Sequence, residues 1–62
     1  MFKVFVMVFD TLKKDWVVKK TEVVTSAADS RSAVRRLRRE FKGQRPLVSA
    51  YPANQVPAYI PL

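Results

Sequence analysis

Sixty-two residues with no Cys and no His, carrying a formal charge of +7, set tight bounds on what this chain can be. There is room for one hydrophobic core, because a domain of this size buries only about 60% of the surface its unfolded chain exposes. No disulfide can form, and zinc, iron and copper lose their preferred ligands, so packing or association must supply what staples give other small domains.

The run Phe2 to Phe9 is dense in β-branched and aromatic residues and predicts a strand. Val4, Val6 and Val8 fall on one face with Phe2, while Phe5, Met7 and Phe9 fall on the other. A strand apolar on both faces belongs in the middle of a sheet. At eight residues the run is far short of the ~20 needed to span a bilayer. Asp10 follows at once and no small-residue cleavage pattern appears, so it does not read as a signal peptide either. Asp10 to Asp15 is a polar loop apart from Leu12, and Trp16 to Thr25 is a second strand-like run, so the two segments predict a hairpin. Lys19, Lys20, Thr21 and Glu22 give the second strand the character of an edge.

Ser26 to Ser30 supplies small and capping residues, with Asp29 or Ser30 as the expected N-cap of a helix running to about Lys42. Ala33, Val34, Leu37 and Phe41 recur at spacings of three and four and form its apolar stripe, and Gly43 supplies a stop. Leu47 to Tyr51, between Pro46 and Pro52, predicts a third strand. The fold expected is α+β: a β-β-α-β domain over residues 1–52, with a three-stranded antiparallel or mixed sheet in order 2-1-3 and one amphipathic helix on one face. Residues 53–62 form a tail that Pro57 and Pro61 keep extended or irregular.

Catalytic chemistry is poorly supplied, with no imidazole for acid-base work near neutral pH and no thiol nucleophile. Asp10 and Asp15 bound one loop, as turn-forming acids do. That loop lacks the dense acidic spacing and the Gly of a calcium site, so no metal or cofactor is expected and the chain reads as non-enzymatic.

The charge is local. Between Arg31 and Arg45 stand six Arg and one Lys against Glu40, a balance of +6, and the rest of the chain contributes +1. At about 100° per residue Arg31, Arg35, Arg38 and Lys42 fall within about 60° of one another, and Arg36 and Arg39 widen the arc, with Arg45 at its margin. Like charges four residues apart cost a few tenths of a kcal/mol each, and cations near the helix N-terminus oppose its dipole. Such a face does not serve folding. It reads as a solvated basic surface, as a seat for nucleic-acid phosphates or as a dock for an acidic protein. Phosphate binding with low sequence specificity leads, because Arg suits bidentate contact with phosphate. A ribonucleoprotein component is one variant of that reading.

The second feature is the open face of the sheet, where Phe5, Met7 and Phe9 need a cover. The tail, through Val56, Tyr59, Ile60 and Leu62, or a second copy of the chain is expected there in preference to stacked bases, since most of the charge lies on the helix side.

The β-β-α-β order, the small residues before the helix and the strand end Val48-Ser49-Ala50-Tyr51-Pro52 resemble the pattern of small phage-encoded regulatory proteins. That resemblance implies a protein-binding inhibitor of a host machine, the alternative to nucleic-acid binding, and transfers no site residue. On either reading the protein is expected in the cytoplasm, that of an infected host included, with no membrane partner and a homodimer as one arrangement.

Overall fold

The computed structural model describes residues 1–61. Strand β1 (Phe2–Asp10) is followed by β2 (Asp15–Val24), the helix α1 (Ala27–Glu40), a single 3-10 turn (Lys42–Gln44) and β3 (Leu47–Pro52). The sheet order is β2-β1-β3 and both pairings are antiparallel, so the fold is a small α+β unit with the most apolar strand in the centre.

Each face of β1 carries its own core. Val4 and Val6 pack with Ala33 and Leu37 of α1 and Val48 of β3, while Val24, Val34, Phe41 and Ala50 close around them. On the opposite face Phe5 and Met7 pack with Ile60, with Val18, Tyr51 and Val56 beside them. Phe5, Leu37, Val4 and Val6 are fully buried, each worth roughly 1.5 to 3 kcal/mol of apolar transfer.

The tail reaches the second face by folding back. The Ala53 N–H donates to the Met1 carbonyl at 2.9 Å, Gln55 to Pro52 at 2.9 Å and Ile60 to Pro57 at 3.2 Å. The Tyr51 and Tyr59 hydroxyls share a hydrogen bond of 2.8 Å, which holds the Tyr59 phenol above its ordinary pKa. Phe5 and Met7 are thus covered, whereas Phe9 stays 45% exposed and meets Trp16 edge-on with ring centroids 5.8 Å apart. Leu62, expected to join this cover, lies outside the described residues.

The helix begins a turn before the expected Asp29 or Ser30. Its N-cap is Ser26, whose Oγ accepts the Asp29 N–H at 3.1 Å. Ala27 and Ala28 are strong helix formers, and Asp29 in the first turn favours the positive end of the dipole. Ser30 is instead buried, its hydroxyl donating to the Ala27 carbonyl at 2.7 Å. Nor does Gly43 end the helix. Phe41 is the C-cap, Gly43 sits inside the 3-10 turn, and Arg45 takes the left-handed conformation at φ 51°.

One irregularity shapes both surfaces of the sheet. Val6 pairs with Lys20 and Met7 with Val18, so Lys19 is an extra residue in β2, a β-bulge. Lys20, Glu22 and Val24, opposite Val6, Val4 and Phe2, therefore share the helix side. Val18 and Trp16, opposite Met7 and Phe9, are turned to the tail side.

Candidate functional site

The five arginines of α1 separate into two groups around it. Arg36 faces β2 and is committed within the molecule. Its Nη1 donates to Glu22 Oε2 at 3.1 Å and its Nη2 to Glu22 Oε1, a two-pronged contact. Lys20 lies 3.5 Å from Glu22 and 3.4 Å from Glu40, and Arg36 lies 3.8 Å from Glu40, one helical turn on. All the ion pairs found among the described residues belong to this quartet. The Arg36 guanidinium bonded to Glu22 holds that carboxyl below its ordinary value, and the Arg36 pKa is raised in return.

Arg31, Arg35, Arg38 and Arg39 occupy the remaining outer surface of α1, all exposed. Arg31, Arg35 and Arg38 lie within an arc of about 60° on the helix, with Arg39 about 40° beyond Arg35. Over the span from Arg31 to Arg39 the ridge is about 12 Å long. Lys42, expected within the same arc, leaves it because the helix has already ended at Glu40. It stands exposed in the 3-10 turn, and the exposed Arg45 follows, so these two cations continue the ridge past the helix end. The end of α1 at Glu40 also sets its dipole balance. Arg38 and Arg39 stand in the last turn, where cations are favoured.

Each acid is placed away from this ridge. Glu22 and Glu40 belong to the quartet, and Asp29 stands in the first turn of α1. The Asp10 carboxylate accepts the N–H groups of Leu12 at 2.9 Å and Lys13 at 3.1 Å, and the Lys13 bond leads the causes that lower its pKa. Asp15 accepts the Trp16 N–H at 2.8 Å. Among the described residues no carboxylate therefore pairs with Arg31, Arg35, Arg38, Arg39, Lys42 or Arg45. No group of three or more acids that could hold a metal occurs among them either, and no helix is long and apolar enough to cross a membrane.

The opposite side of the sheet carries a feature that the residue pattern did not single out. An open groove of about 380 Å³ is lined by Met7, Asp15, Trp16, Leu47, Tyr59 and Pro61. Trp16 reaches it through the Lys19 bulge, and the period of β2 gives no warning of that switch. The quartet had one legible signal, since Glu40 stands four residues after Arg36. Its other half, Lys20 with Glu22, comes from a strand and is brought there by folding.

Comparison of the chain with protein-family models, with curated proteins and with solved structures returns no match.

Proposed function

We propose that this protein binds nucleic acid through phosphates, using Arg31, Arg35, Arg38 and Arg39 as the central ridge and Lys42 and Arg45 as its extension. The observation that carries the reading is the segregation of charge around α1: the glutamates gather about Arg36 and Lys20, and no acid of the described chain opposes the ridge. Folding alone would favour the reverse, with Glu interspersed among the Arg at spacings of four. Guanidinium groups present a planar fork of donors that matches phosphate oxygens in pairs. Sequence preference is low, because contacts to phosphate fix position without reading bases. Arg36 has no part in binding.

Salt dependence tests this directly. Neutralising four to six phosphates on duplex DNA gives a slope of log affinity against log salt of roughly −3.6 to −5.4. A slope near zero, or no binding to duplex or single-stranded probes at low salt, removes the proposal.

A further inference from the structure

The exposed rings and the open cations of this domain lie on opposite sides of the sheet. Phe9 is 45%, Trp16 39% and Tyr59 71% exposed, and all three stand on the tail side, Trp16 by its register with Phe9 and Tyr59 through its hydroxyl bond to Tyr51. Trp16 already meets the Phe9 ring edge-on. The aromatic residues of the helix side are Phe2 and Phe41, both half-buried, and Phe41 packs against the core that holds Leu37. The cations are divided the other way. Arg31, Arg35, Arg38 and Arg39 stand on the outer surface of α1, with Lys42 and Arg45 beyond its end, while Lys3 is the one cation that β1 turns toward the tail.

Proteins that hold a single strand combine a basic groove along the backbone with aromatic faces on which successive bases stack. Here no strand has both. With its phosphates on the ridge, its bases are separated from Phe9, Trp16 and Tyr59 by the helix and the sheet, so a flexible chain would be ordered along a convex surface with nothing to hold its bases. A double helix needs no such platform. Its bases are stacked on one another, its phosphates are fixed by a rod stiff over about 150 base pairs, and it carries one charge per about 1.7 Å of axis against about 3.4 Å for one strand. The ridge of about 12 Å therefore spans a length of duplex that carries roughly twice the phosphates of one strand of the same extent.

We infer that the ridge selects a double helix over a single strand, which rests on phosphate binding by the ridge and adds to it the form of the nucleic acid. The rings of the tail side take no part in that contact.

Titration of the intact chain with a duplex DNA of mixed sequence, and with each of its strands alone, over a range of salt tests this. The duplex is expected to bind about tenfold or more tightly than either strand, the difference that one forgone base stack makes. With four phosphates neutralised, its salt slope is roughly −3.6, against roughly −2.8 for a strand. The emission of Trp16, the one tryptophan of the chain, stays unchanged at saturation with either probe. A strand bound as tightly as the duplex, or more tightly, overturns the inference while leaving phosphate binding in place, and so does quenching of Trp16 as either probe binds. Failure of both probes to bind at low salt removes phosphate binding itself, and the choice of a double helix with it.

Discussion

The two flanks of α1 hold arginines of the same chemistry in opposite circumstances. Toward β2, Arg36 is gripped by Glu22 and flanked by Lys20 and Glu40, so its charge is spent inside the molecule. Around the outer arc Arg31, Arg35, Arg38 and Arg39 meet no carboxylate among the described residues and repel one another across turns. Arginine density does not distinguish the flanks; the positions of the acids do. Glu22 is turned toward α1 by its register with Val4, and Glu40 is the one acid in the second half of the helix. Counting cations along the sequence therefore overstates the surface open to a partner.

Removing the open flank is the largest expected change. Replacing Arg31, Arg35, Arg38 and Arg39 together with Gln should flatten the salt slope on duplex DNA by about 3.6 and leave the thermal unfolding of the domain intact. Single replacements should each lower the slope by about one unit, giving a shallow graded profile. One or two deep losses among otherwise silent positions would instead indicate anchors buried against an acidic protein.

The paired flank should respond in the opposite way. Arg36→Ala should lower stability, read from denaturant midpoints, while leaving the salt slope of binding unchanged. A loss of affinity without a loss of stability would place Arg36 in the binding surface and erase the distinction between the flanks.

Acid should act on that same flank. Glu22 has its folded pKa depressed, so its contribution is fully present above its ordinary value near 4.5 and disappears as the pH falls through the lower folded value. Stability measured from pH 6 downward should therefore decline less steeply in Glu22→Gln than in the parent chain. Equal declines would show that the Arg36 contact carries no net energy.

The smallest effect sharpens the comparison most. Arg35→Glu replaces two repulsive spacings, to Arg31 and to Arg39, by attractive ones and should raise stability by on the order of 0.5 kcal/mol while weakening binding. Stability that rises as binding falls would identify the ridge as a feature kept at the expense of folding. A loss of both would mean that Arg35 packs within the domain.

Much of the architecture follows from residue patterns that need no tertiary context. Two-sided hydrophobicity forces β1 to the centre, because only a middle strand can bury both Val4 with Val6 and Phe5 with Met7. The spacing of Ala33, Val34, Leu37 and Phe41 determines which side of α1 faces the sheet, and with it which side the arginines must occupy. Such patterns misplace the helix start at Asp29 or Ser30, because local composition offers several caps in a row and only the structure shows Ser26 accepting the Asp29 N–H and Ser30 buried.

Folding alone decided the rest, since it depends on partners distant along the chain. The bulge at Lys19 turns Trp16 and Val18 toward the tail while Lys20 and Glu22 stay beneath the helix, and only strand register can set such a switch of face. Arg36 leaves the cationic surface because a carboxylate fourteen residues earlier is carried to it by the sheet. Phe5 and Met7 become core through Ile60, more than fifty residues away in sequence, whereas Phe9 on the same face of the same strand remains open. Local periodicity reports which face a side chain occupies; what that face meets is a matter of long-range packing.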